Sequence, residues 1–308
     1  MSPHLSNLVI TMIGNFSEFD TYIDLLDNNH LSQKGNRMGF KRAISTLKQT
    51  DNFLGIEDKY SNFETSKYVI LPIPYEETST YGKGSKLGPQ AILNASHEVE
   101  LYDVVLGMET YKECGGITTI KPTKLGARTS KDLSKKLSEF VRKMLELNKF
   151  VITIGGEHTS VVGAIYAHIE KFPDLTILQF DAHSDLRDSY SGDKWNHACA
   201  MARVLDTYKG KLVQIGIRSV GPEELELRAN ISQRLITFHA HDVKDNPDKI
   251  HDIINHLGEK VYITFDCDVF DPSVIPATGT PEPGGLTWEW IDKFFHTLTK
   301  ERRVVGFD

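Results

Sequence analysis

Cysteine is scarce in this sequence: Cys114, Cys199 and Cys267 are the only three, an odd number with no CxxC spacing. That excludes a disulfide framework and a Cys-based zinc site, and it fits a reducing compartment. Long apolar runs are missing as well. The stretch at residues 8–13 is too short to cross a bilayer and lacks the basic lead of a secretory signal, so the protein reads as cytosolic, with no membrane partner. Nor is there a surplus of positive charge, since 35 Lys and Arg against 42 Asp and Glu leave a net charge of −7. A non-specific nucleic-acid binder needs a basic face to neutralise phosphates, so nucleic acid is excluded as a partner, whereas a cationic small molecule is compatible.

What is present is length and alternation. With 308 residues, 40% of them apolar, the chain can bury the core of one large domain or two ordinary ones. Residues 1–55 are mixed and polar, broken at Asn28-Asn29-His30 and Lys34-Gly35-Asn36. They are expected to form an N-terminal extension, either a decoration of its own or the product of an upstream start with Met38 as a later one. The domain proper is expected over 56–308. From Lys67 onward, short apolar runs closed by turn residues predict strands: YVILPIP (68–74), KFVITIGGEH (149–158), LTILQFDAHSD (175–185), KLVQIGIRS (211–219), RLITFHAHDV (234–243), KVYITFDCD (260–268) and RRVVGFD (302–308). Helical spacing falls between them at 90–103, 130–147, 162–171 and 248–257. The alternation predicts an α/β protein with one doubly wound, open and mostly parallel sheet. The last run ends at Asp308 and reads as a central strand with no covering helix behind it, so C-terminal truncation is expected, the alternative being an edge strand that ends the protein.

In open α/β sheets ligands bind outside the carboxyl ends of the strands. Three such ends carry His158, then Asp181, His183 and Asp185, then Asp266 and Asp268. A lone Asp there is usually a cap and a lone His usually a core residue. Four carboxylates at one rim, however, would repel and lose solvation unless a cation lay among them. In extended chain alternate residues share a face, which would aim Asp181, His183 and Asp185 into one cleft, and Asp266 and Asp268 likewise. Six ligands suit two ions bridged by a carboxylate and a shared water. Oxygen-rich ligation with two imidazoles fits Mn²⁺, and ligand type alone leaves zinc, iron, cobalt and nickel open.

GGEH, DAHSD and DCD in that order, followed by PATGTPEPGGLTW (276–288), resemble the arginase/agmatinase (ureohydrolase) family from about Tyr68 to Asp308. The resemblance implies a single three-layer α/β/α domain that assembles as a homo-oligomer, a trimer or hexamer. It implies two Mn²⁺ per subunit, one held by His158, Asp181, Asp185 and Asp266, the other by Asp181, His183, Asp266 and Asp268, with Asp181 and Asp266 bridging. The partner it implies is a small guanidino substrate. Two cations lower the pKa of a bridging water, and the hydroxide attacks the guanidinium carbon. His197 resembles the family's proton-shuttling histidine, and Asp185 counts with the catalytic groups as well as the ligands. Glu282, in the rigid TPEPGG turn, is placed to pair with the guanidinium. One departure stands out: where arginases carry a guanidinium-binding glutamate this chain has Trp290, with Glu289 adjacent. Either the helix start is shifted by one residue or Glu282 takes that work.

Arginases hold the substrate's α-carboxylate with a Ser/Asn-rich segment ending in SGN, and this chain has LRDSYSGDKWNH (186–197) instead. Asp188 and Asp193 would disfavour an anion and suit a terminal ammonium, so cleavage of agmatine to putrescine and urea is expected ahead of arginine. Arg187 keeps a carboxylated substrate such as guanidinobutyrate open, alongside arginase and formimidoylglutamase activities. Two readings from other classes remain. A non-catalytic metal-binding paralogue shares all six ligands, and a two-metal phosphoesterase shares the DxH pair but needs an acidic residue after its NH, where Ala198 stands. The loop TYGKGSKLGP lacks the GxxxxGK[ST] order of a phosphate cradle and is expected to shape the cleft. Cys199 and Cys267 read as packing residues.

Overall fold

The computed structural model describes residues 44–308. Runs rich in Val, Ile and Phe, bounded by turn residues, form eight strands: β1 Tyr68–Ile73, β2 Ile117–Thr119, β3 Phe150–Gly155, β4 Thr176–Phe180, β5 Leu212–Ile217, β6 Leu235–His239, β7 Lys260–Phe265 and β8 Arg303–Phe307. The principal helices are α1 Gly88–Ala95, α2 Ser130–Glu146, α3 Val162–Lys171, α4 Ala200–Thr207, α5 Pro222–Asn230, α6 Lys249–Asn255 and α7 Trp288–Glu301. Threonine side chains cap two of them: Thr129 accepts from Asp132 N at 3.1 Å and Thr287 from Trp290 N at 3.3 Å. Every strand pairing is parallel, in the order β2-β1-β3-β8-β7-β4-β5-β6.

Alternation along each strand makes three layers. Tyr68 and Ile70 of β1 face the cluster containing Leu93 of α1, Ile250 and Ile253 of α6, and Ile291, Phe294 and Phe295 of α7. Val69, Leu71 and Ile73 point the other way, onto Leu133, Leu137 and Val141 of α2 and Ala164 and Ala167 of α3. Further along that face Ile177 and Leu212 meet Met201 and Val204 of α4. Strands covered on both faces read as continuous apolar runs, and each fully buried aliphatic or aromatic side chain contributes about 1.5–3 kcal/mol. Among the described residues no helix is long and apolar enough to cross a membrane.

The expected elements differ from those observed in three places. The helix expected over 90–103 stops at Ala95, because Ser96 Oγ turns back to Leu93 O at 2.6 Å and accepts Leu54 N at 2.8 Å. The strand expected to run to residue 243 ends at His239, and Ala240–Val243 is a single helical turn. The three-residue edge strand β2 carries no periodic signal of its own. Of the expected N-terminal extension, residues 1–43 lie outside the described residues. Phe53 and Leu54, from its end, are buried in the same cluster as Tyr68 and Ile117.

The strand order positions the site. β8 and β7 lie between β3 and β4, so the carboxyl ends of four neighbouring strands present His158, Asp181 to Asp185, Asp266 to Asp268, and Asp308 at one rim.

Candidate metal centre

A cavity of about 630 Å³ opens at this rim, and all six expected ligands line it, together with His197, Arg187 and Asp308. Its walls are two loops. Residues 79–85 of the glycine-rich segment face residues 277–280, and Gly82, at φ +61°, is so close that a Cβ would lie 2.5 Å from Gly279 O. The glycine-rich loop thus lines the cleft, as its sequence leads one to expect. Beneath it, a Cβ on Gly156 would sit 2.3 Å from Tyr75 O, so the GG pair lets the chain turn under β1 and deliver His158.

His158 Nδ1 lies 2.9 Å from Asp185 Oδ2, 3.1 Å from Asp181 Oδ2 and 3.8 Å from Asp266 Oδ2. His183 Nδ1 lies 2.9 Å from Asp268 Oδ2 and 3.6 Å from Asp181 Oδ1. Two groups result, each with ligand atoms close enough to share one ion: His158, Asp181 and Asp185, and Asp181, His183 and Asp268. Asp181 belongs to both. Asp266 stands beside both groups and accepts Asp268 N at 3.0 Å.

The local backbone reaches this arrangement differently from simple strand alternation. Asp185 has φ +54°, a left-handed conformation that Asp tolerates better than most residues, and this bend turns its carboxylate back toward His158. Asp268 sits in a short 3₁₀ turn, Cys267–Val269, which Asp266 caps with its side chain. Strained backbone of this kind concentrates where function over-determines it.

The donor set carries a charge conflict that divalent cations would resolve. Burial and the charge of Asp181 push the Asp185 carboxyl up to about 7 and that of Asp268 to about 6, while burial and Asp268 push Asp266 to about 8. Burial opposes charge on the two histidines as well, but the carboxylates beside them prevail and hold protons there, raising His158 well above the ordinary range and His183 to about 12. The second nitrogen of His158 makes the point sharper. Thr264 Oγ1 donates its one proton to Asp308 Oδ1 at 2.8 Å, so it accepts from His158 Nε2 at 2.9 Å. In neutral His158 the Nδ1 lone pair then faces carboxylate oxygens, and this buried nitrogen has no aligned hydrogen-bond partner. A lone pair aimed with three carboxylates at one point fits a metal ion.

His197 reaches the cavity from the loop after DAHSD. Its Nδ1 lies 3.1 Å from Thr78 O and 3.2 Å from Thr78 Oγ1, and burial lowers its pKa. Glu282 stands outside the cavity lining, with Oε1 3.9 Å from His183 Nε2. Trp290 is buried against Phe294 at the start of α7, whereas Glu289 is exposed, so of the two glutamates Glu282 is the one beside the ligand cluster. Asp188 and Asp193 correct the expectation of an ammonium pocket. Asp188 is turned outward to Lys194 and Arg203, Asp193 accepts Trp195 N at 2.8 Å, and neither lines the cavity. Arg187 does line it, stacked 4.7 Å over Tyr190 and held 3.4 Å from Glu223. Cys199 and Cys267 lie near the site with thiols pushed up by burial, which suits packing and not nucleophilic attack.

Several residues escape a reading of motifs. Arg218 donates to the carbonyls of Asp268 at 2.6 Å, Glu282 at 2.8 Å and Gly216 at 3.1 Å, tying the end of β5 to the Asp268 turn and the Glu282 loop. Thr264 and Asp308 back His158. Glu157 holds Thr78, and Thr78 in turn holds His197. Only Glu157, inside GGEH, had a local signal.

A profile of the arginase family matches residues 66–308. The N(1)-aminopropylagmatine ureohydrolase of Synechocystis is 37% identical, covering 80% of this chain and 82% of that one. The agmatinase of Bacillus cereus is 35% identical, covering 81% and 84%. The crystal structure of the agmatine ureohydrolase of Thermoplasma volcanium superposes with a TM-score of 0.73 at 32% identity, over 88% of this chain and 87% of that one. On the profile, these relatives and the shared fold, the chain belongs to the arginase family and is a ureohydrolase acting on linear amidines.

Proposed function

We propose that this chain cleaves agmatine to putrescine and urea, with two Mn²⁺ held by His158, Asp181, Asp185 and Asp266 on one side and by Asp181, His183, Asp266 and Asp268 on the other. The observation that supports the metal assignment is the sharing of Asp181 between two ligand groups, next to a buried imidazole nitrogen that faces carboxylates and has no aligned hydrogen-bond partner. When bound, the cations supply the charge that makes water available as hydroxide near neutral pH. The remaining work belongs to side chains. Glu282 offers a carboxylate beside His183 to orient the guanidinium. His197 keeps its hydrogen on Nδ1 toward Thr78, so Nε2 is the atom that would take up the proton released as water becomes hydroxide and return it to the departing amine as the bond between the guanidino carbon and the alkyl nitrogen breaks. Water's oxygen ends on urea, one of its protons on the amine, which leaves neutral, and the other proton passes to solvent.

A longer amine, as in the printed name of the Synechocystis relative, is the second reading. A cavity of about 630 Å³ leaves room beyond a four-carbon chain. Urea release from agmatine, aminopropylagmatine, arginine and guanidinobutyrate by Mn²⁺-loaded protein tests both. Agmatine should be turned over well ahead of arginine and guanidinobutyrate. A higher kcat/KM for aminopropylagmatine moves the assignment to the longer amine. Preference for either carboxylated substrate overturns both and turns attention to Arg187, and no urea from any of them supports a non-catalytic paralogue.

A further inference from the structure

Glu157 is a buried carboxylate that no metal role uses, and every neighbour of its two oxygens is a donor. Oε2 accepts the backbone N–H of Glu77 at 3.0 Å, Thr78 at 2.8 Å and Ser79 at 3.2 Å, and the Ser79 hydroxyl at 3.4 Å. Oε1 accepts the hydroxyls of Thr78 at 3.0 Å and Thr159 at 2.9 Å. The loop so gathered has no helix or strand of its own, and its central residue is the one that touches His197.

Hydrogen-bond direction then propagates. A threonine hydroxyl has one proton, and that of Thr78 is committed to Glu157. Toward His197 the same oxygen can only accept. It takes the backbone N–H at 2.8 Å and faces Nδ1 at 3.2 Å, while Thr78 O, a pure acceptor, faces Nδ1 at 3.1 Å. Both neighbours of Nδ1 therefore demand a hydrogen on it.

We propose that Thr78, anchored by Glu157, is a positioning residue that fixes the orientation and tautomer of His197, leaving Nε2 as the nitrogen that exchanges a proton with the reacting amine. This rests on the reading of His197 given above. Thr78 and Glu157 touch no substrate atom in that scheme and act through the imidazole. The tautomer matters because a neutral ring with its hydrogen on Nε2 has no lone pair there to take up the proton it must pass to the amine, while its bare Nδ1 faces two acceptors, and a rotated ring presents nothing at the right place.

The test is a cycle of Thr78→Val, Thr78→Ser, His197→Ala and the Val/Ala double variant, with kcat, KM and bound manganese measured for each. Thr78→Val should lower kcat about tenfold or more, with KM and metal content within about twofold of wild type. Thr78→Ser, which keeps the hydroxyl, should return kcat to within about threefold of wild type, and Thr78→Val should cost nothing further in the His197→Ala background. An equal loss in both backgrounds, or a serine as poor as the valine, overturns the proposal by marking Thr78 as mere loop packing. If His197→Ala itself retains full kcat, the proton role of His197 fails, and positioning is then decided by ¹⁵N shifts of the ring in Zn²⁺-loaded protein. Those shifts should report hydrogen on Nδ1 in wild type and a mixture in Thr78→Val; the same tautomer in both refutes the assignment.

Discussion

Replacing Thr264 by valine should weaken metal binding without touching a ligand. Thr264 is fully buried, and valine has nearly its shape, so packing survives while the hydroxyl is lost. In the loaded state His158 must be neutral, with its Nδ1 lone pair forward and its hydrogen on Nε2, 2.9 Å from Thr264 Oγ1. Valine leaves that N–H facing a methyl group. In metal-free protein the carboxylates hold a proton on Nδ1, Asp185 being 2.9 Å away, so with valine at 264 the ring can give up its Nε2 hydrogen and leave no buried donor unpaired, a relief denied to the metal-bound ring. An unpaired buried donor costs about 1–3 kcal/mol, and a tenfold change in affinity is about 1.4 kcal/mol, so Mn²⁺ affinity should fall roughly 5- to 150-fold. Competition against a chelating dye at fixed pH measures this, and Thr264→Ser should recover most of the loss. Affinity for Thr264→Val within about twofold of wild type would refute the assignment of the His158 tautomer to this hydroxyl.

Two further outcomes follow from single contacts. Arg218→Lys replaces a fork that reaches six carbonyls with a point donor, so the Glu282 loop should drift; kcat/KM should fall about tenfold or more, and unchanged kinetics would show that Glu282 needs no such tie. His168 is buried with its pKa lowered to about 4 by desolvation. Its folded state binds the proton less readily than the unfolded chain, so stability is intact above the ordinary value near 6.5 and is lost as pH falls from there toward 4. In urea titrations the wild type should lose roughly 3 kcal/mol more than His168→Phe across that window, and parallel pH profiles would rule the group out.

The alternation of apolar runs with helical spacing was legible from residue order alone, because burial on both faces of a parallel sheet demands continuous Val, Ile and Leu strands. The gathering of the six candidate ligands at one rim was legible for a related reason: carboxylates and imidazoles at the ends of three strands of one parallel sheet have no common structural use. Short or locally contested elements were not. β2 is three residues long, and the helix after Gly88 ends where the Ser96 hydroxyl competes with the backbone.

Tertiary structure decided what residue order cannot encode, namely which side chains turn toward the cavity. Asp185 arrives by a left-handed bend and Asp268 by a 3₁₀ turn, not by alternation along a strand. Asp188 and Asp193, near the ligands in sequence, found partners outside the cavity, while Arg187 between them lines it. The supports are more distant still: Thr78 meets Glu157 across 79 positions and His197 across 119, and Thr264 meets His158 across 106. Periodicity reports burial, which depends on near neighbours. Hydrogen bonds between loops depend on where the fold brings their ends, and that is set only when the eight strands have taken their order.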